Sequence, residues 1–246
     1  MIATILQAAL AAFLVFVFPL WDRRETRRLK ADPSPRARIR AYLITIAWQI
    51  VATALLLAVL PARLLFAPPA EVAGLGIRPS LATGAPILAG LLVGAAIPLL
   101  MARGNAKVRE QTRKQLRAMA FFLPQTPPER RWFAALSVVV GVCEEIIFRG
   151  WLIRWLAGPP LGMGIIAAVI VAAAVFGIDH GYQGIAGVLA TGFMALVLTA
   201  LFFATGTLWV PVAVHALIDL RVLLLLRAAG PLGDGSAGPS LPHSST

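Results

Sequence analysis

Long apolar runs alternate with short polar ones along the chain. The apolar segments cover 2–20, 41–67, 84–102, 132–156, 161–180, 184–204 and 208–226. Each approaches or exceeds the roughly 20 residues that a helix needs to cross a bilayer. The breaks carry helix-ending residues: Pro68-Pro69, Pro127-Pro128, Gly158-Pro159-Pro160 and Thr205-Gly206. The pattern predicts an all-α, polytopic transmembrane helix bundle with about seven spanning helices, within a range of roughly six to eight. One domain over 1–229 is expected, with the polar-bearing helices in 132–227 and a disordered Gly/Pro/Ser-rich tail over 230–246 that holds His243 in solvent. The stretch 107–123 sets Val108, Leu116, Met119, Phe122 and Leu123 among many cations, which fits either a helix lying at the membrane interface or a solvated loop.

Composition agrees with this pattern. Hydrophobic residues make up 59% of the chain and charged residues only 13%, against roughly 25% charged in an ordinary soluble domain. Cys143 is the single cysteine, which excludes an intrachain disulfide and a multi-thiolate metal centre. No basic residue precedes the first apolar run and no small-residue cleavage site follows it, so a cleaved signal peptide is not expected.

The net charge of +11 raises nucleic acid as a partner, but the placement of the cations argues otherwise. Of 22 Lys and Arg, eight fall in 21–40 and eight in 103–131, both between apolar runs and without the interleaved aromatics of a nucleic-acid surface. Arg/Lys-rich short loops stay in the cytoplasm. The expected arrangement is therefore a multi-pass protein of the cell membrane with its N-terminus outside and both basic segments cytoplasmic.

Against that apolar background, Glu144, Glu145, Asp179, His180, His215 and Asp219 stand inside the hydrophobic segments. Each costs something like ~2.5 to 3.5 kcal/mol at the centre of a spanning helix, so their concentration calls for a function. On an α-helix Glu145 and Arg149 share a face, whereas Glu144 and Arg149 diverge by about 140°. Arg149 is thus expected to pair with Glu145, leaving Glu144 for proton transfer or metal binding; a packing cluster of all three is the purely structural reading. Phe176 and His180 share a face, so the ring can buttress the imidazole. His215 and Asp219 do likewise; Asp219 either joins the chemistry or orients His215.

The ordered set Glu144-Glu145 with Arg149, Phe176 with His180, and His215 with Asp219 resembles the CPBP family, which includes the CAAX prenyl endopeptidases and bacteriocin-processing, Abi-like proteins. Phe148-Arg149-Gly150 and Leu208-Trp209 look similar as well, and the likeness spans roughly 133–220. It implies an intramembrane endopeptidase acting on a membrane-associated protein or peptide. Glu144 would activate a water that His180 helps to hold, while His215 and Asp219 stabilise the oxyanion and Glu145, Arg149 and Phe176 support the site. Many members carry Asn where this chain has Asp219. No cofactor is required in that scheme. A zinc variant would use Glu144, His180 and His215 as ligands, although the His-Glu-x-x-His pattern is absent. The rival class is a non-enzymatic membrane protein, such as a bacteriocin self-immunity factor, a peptide-binding scaffold or a transporter, that uses the same polar cavity.

Overall fold

The computed structural model describes residues 2–159 and 161–230, and every regular element among them is helical. Helix α1 covers 2–31, with a π-turn at Phe13–Val17. Helix α2 is Pro35–Val59, α3 Leu81–Gly104 and α4 Ala106–Ala118. Helix α5 covers 127–157, and α6, α7 and α8 are Ile165–Asp179, Gly184–Thr205 and Trp209–Ala229.

Every predicted apolar segment lies mainly on one of these helices, and the chain is a multi-pass membrane protein. Among the described residues, five helices are long and apolar enough to span by length and composition: Thr4–Ala31, Pro35–Val59, Leu81–Gly104, Gly181–Thr205 and Trp209–Ala229. Helix α5 is long enough but carries Glu144, Glu145 and Arg149, while α6 has 15 residues. The boundaries differ from the pattern in three places. α1 continues to Ala31, so Arg23, Arg24, Arg27 and Arg28 are helical and only 32–34 form the turn into α2. The run 41–67 breaks at Leu60-Pro61, after which Ala62–Phe66 forms a one-turn helix. Proline lacks the N–H that would continue the ladder. The third difference is the widening of α5 into a π-helix from Glu145 to Leu152. The stretch after Asn105 is a helix, with Thr112 and Leu116 buried. The expected disordered tail and His243 lie outside the described residues, apart from Gly230.

Apolar burial supplies little association energy in lipid, so spanning helices meet through close van der Waals packing at small residues. Two such meetings fix the polar helices. A Cβ on Gly141 of α5 would stand 3.0 Å from the backbone nitrogen of Ala216 on α8, and one on Gly177 of α6 would stand 2.7 Å from the Val188 carbonyl on α7. The first contact sits beside His215, the second beside His180. Large side chains such as Ile185, Leu189 and Phe193 point out of the bundle, as lipid-facing positions do.

The end of α5 is pinned by a buried network that sequence spacing does not reveal. Arg38 Nε on α2 donates to Glu129 Oε1 at 2.6 Å, and Glu129 Oε2 accepts from the backbone N–H of Gln125 and Thr126 and from the Thr126 hydroxyl. Thr126 and Glu129 together form a capping box at the start of the helix. Nearby, Tyr42 donates its hydroxyl hydrogen to the Phe122 carbonyl.

Candidate active site

The polar residues of α5, α6 and α8 converge on one cavity of about 360 Å³. Glu144, Asp179, His180, His215 and Asp219 line it, as do Phe176 and Gln49. The cavity extends to the end of the bundle built by Asp22 and Glu25 of α1 and by Met119 to Leu123 of the second basic segment.

Glu144 is the last residue of regular α-helix in α5, and Glu145 begins the π-helical stretch. The two carboxylates have separate partners. Glu145 Oε1 lies 3.0 Å from Arg149 Nη1 and 2.8 Å from His215 Nδ1. Arg149 is held further by the Ala195 carbonyl at 3.4 Å and by the Phe176 ring, whose centroid is 4.6 Å from the guanidinium carbon. Glu145 and Arg149 are 0% and 1% exposed, so this is a fully desolvated ion pair.

Glu144 Oε1 accepts a hydrogen bond of 2.8 Å from Gln49 Nε2 on α2. Its other oxygen, Oε2, is buried with no hydrogen-bond partner and lies 3.9 Å from His215 Nε2. Gln49 is wholly buried, and its own Oε1 is likewise unpartnered.

The helical spacing offered Asp219 as an orienting partner for His215, but Glu145 holds Nδ1. Asp219 Oδ2 stands 3.8 Å from His215 Nε2, beyond hydrogen-bond range. Both face the cavity. His180 closes α6, with Nδ1 2.7 Å from the Phe176 carbonyl and its ring centroid 4.6 Å from that of Phe176. Because a carbonyl only accepts, Nδ1 carries the proton in that bond. In the neutral ring this leaves Nε2 as an acceptor. Phe176 packs edge-on against Phe148 at 4.9 Å and against His215 at 6.1 Å, so one aromatic ring braces both imidazoles and the guanidinium.

The zinc variant would take Glu144, His180 and His215 as its ligands. Among the described residues no three His, Cys, Asp or Glu side chains gather closely enough to hold an ion. Each of the two site histidines has Nδ1 against a protein acceptor, an arrangement that serves a working imidazole and a metal-bound one alike.

Gln49 was not a sequence candidate, because a single neutral amide in an apolar run does not stand out as a buried charge does. The residue is 95 positions from Glu144, outside any helical repeat.

Residues 127–221 match the family described as type II CAAX prenyl endopeptidase Rce1-like. This stretch includes all the ionisable side chains described above on α5, α6 and α8. No curated protein and no solved structure matches the chain.

Proposed function

We propose that the chain is an intramembrane protease of the CPBP family, as the match of residues 127–221 to the Rce1-like family supports, and that it hydrolyses a peptide bond of a membrane-associated protein or peptide by a metal-free mechanism. Glu144 is the general base. The observation that carries the reading is the state of its carboxylate on the cavity wall: one oxygen is fixed by Gln49, and the other is buried without a donor. A base must reach its proton directly or through one water, and an unoccupied lone pair in a cavity supplies that position.

In the first step a water placed between Glu144 Oε2 and His180 Nε2 attacks the scissile carbonyl carbon as Glu144 accepts its proton. The carbonyl π-electrons move onto oxygen. His215 stabilises that oxyanion through Nε2–H when both its ring nitrogens are protonated, with Nδ1 donating to Glu145. Asp219 contributes a second donor as the protonated acid. Collapse of the intermediate breaks the C–N bond, and the proton held by Glu144 passes to the departing amine nitrogen. Glu145 and Arg149 do not touch substrate; they hold His215 and the helix.

The orientation follows from the charge pattern: the N-terminus lies outside, and the cavity opens at the cytoplasmic end, where both basic segments lie. Reporter fusions at the turn 32–34 and in the segment after Arg117 test this. A periplasmic or extracellular signal from either would reverse it.

The test of function is cleavage by purified protein in liposomes of a membrane-anchored reporter peptide, with wild type and Glu144→Gln compared and metal content measured on both. Wild-type turnover lost in Glu144→Gln, with reporter association retained, supports the assignment. Association without turnover in wild type indicates a binding protein instead. Turnover that requires stoichiometric metal refutes the metal-free mechanism.

A further inference from the structure

The cavity has a charge character opposite to that of the chain. Of 11 acidic residues, Asp22, Glu25, Glu144, Asp179 and Asp219 line it, whereas none of the 22 Lys and Arg does among the described residues. This occurs in a protein of net charge +11, in which residues of both basic segments reach the cavity wall. Glu144 and Asp219 belong to the proposed chemistry, and Glu25 is engaged by Arg28 at 3.3 Å. Asp22 and Asp179 are left without a task.

Asp179 is 6% exposed, lines the cavity, and has an oxygen, Oδ1, with no hydrogen-bond partner. Asp22 and Glu144, which line the same cavity, are acids like Asp179 and do not compensate it. A buried carboxyl in that position is costly unless a cation or donors arrive. Among the described residues, no Lys or Arg shares the cavity with it. The cavity walls also include Met119, Phe121, Phe122 and Leu123. An apolar wall leading to acids suits the hydrocarbon stem and charged head of a lysine or arginine side chain.

We propose that Asp179 and Asp22 form a subsite for a basic side chain of the substrate, seated beside Glu144 near the scissile bond. The proposal rests on the endopeptidase reading for its use in catalysis, but it can be tested by binding alone. The probes are pairs of fluorescent membrane-anchored peptides, identical except that one Lys is exchanged for norleucine, with that position scanned along the sequence. Binding is measured to Glu144→Gln protein in nanodiscs, so that no turnover is needed. At one register the lysyl peptide should bind at least about tenfold more tightly than its norleucine partner, and Asp179→Asn in the same background should erase that preference. Asp22→Asn should reduce it and serves as the deciding variant if Asp179→Asn does not fold. Equal binding at every register, failure of both peptides to bind, or a lysine preference that survives the Asn exchanges would overturn the subsite. Wild-type cleavage of the same peptides separates the two claims. A lysine preference in binding without wild-type turnover defeats the protease reading and leaves the subsite standing.

Discussion

Replacing Arg149 with Met tests the separation between fold support and chemistry. Arg149 and Glu145 are both sealed from solvent and lie 3.0 Å apart. Removing one member of such a pair strands the other, at a cost on the order of 3 to 5 kcal/mol. That corresponds to a loss of roughly a hundredfold to several thousandfold in the folded-to-unfolded ratio, a large part of the ~5 to 15 kcal/mol available to a typical fold. Removing both charges behaves differently, because a buried pair replaced by apolar side chains is often neutral. The double variant Glu145→Met/Arg149→Met should therefore recover much of the stability that either single variant loses. It should not recover activity, because His215 Nδ1 loses its acceptor, and such outer partners are worth about 10- to 100-fold. The assay is monodisperse yield and thermal midpoint after detergent extraction for the four proteins of the cycle, together with cleavage rate. An Arg149→Met protein as stable as wild type, or a double variant no better than the weaker single, would refute the reasoning.

Gln49→Met removes the donor to Glu144 at nearly constant volume, so kcat should fall about 10- to 100-fold with KM unchanged; an unaltered kcat would remove Gln49 from the positioning of Glu144. Burial acts to raise the Glu129 carboxyl, but the Thr126 and Gln125 backbone donors, the Arg38 guanidinium and the Thr126 hydroxyl outweigh it and hold it below its ordinary value of 4.5. The resulting stability is present above the unfolded value and lost as pH falls through the folded one, so the thermal-midpoint gap between wild type and Glu129→Gln should be open at neutral pH and close on acidification, and a gap independent of pH would contradict this. Asp219→Asn should keep or raise the cleavage rate, because an amide donates to an oxyanion without first needing a proton. Asp219→Ala should lower the rate by about 10²- to 10³-fold, and equal losses in both variants would show that its negative charge, not a donor, is what matters.

The helical bundle and the cavity acids were legible because lipid makes them conspicuous. A long uninterrupted apolar run is what a bilayer core demands of a spanning helix, and an ionisable residue within one is too costly to be incidental. The partners were less legible. Spacing within a helix ranks local pairs, and it paired Arg149 with Glu145. The same reasoning offered Asp219 as an orienting partner for His215, while the actual acceptor is Glu145, 70 residues away on another helix. That contact depends on α8 approaching α5 where Gly141 leaves no side chain between them, a property of two helices together. Arg38, Glu129 and Gln49 were missed for related reasons. The first two looked like ordinary members of basic, interfacial segments, and the third carries no charge.

The adjacent carboxylates also show why the local helix type matters. Consecutive residues on an α-helix point about 100° apart, so Glu144 and Glu145 address different neighbours even before any tertiary contact is considered. The ladder then changes to π at Glu145, a departure that is rare and frequent at functional sites. Glu144 consequently looks toward α2 and the cavity, and Glu145 toward Arg149 and α8. His215 is the exception to this division. Its Nδ1 belongs to the buried ion-pair network at 2.8 Å, and its Nε2 stands 3.9 Å from the unpartnered oxygen of Glu144. One imidazole thus joins the residues that hold the helices together to the residue proposed to move the proton, so the packing of α5 against α8 sets the distance between His215 and Glu144.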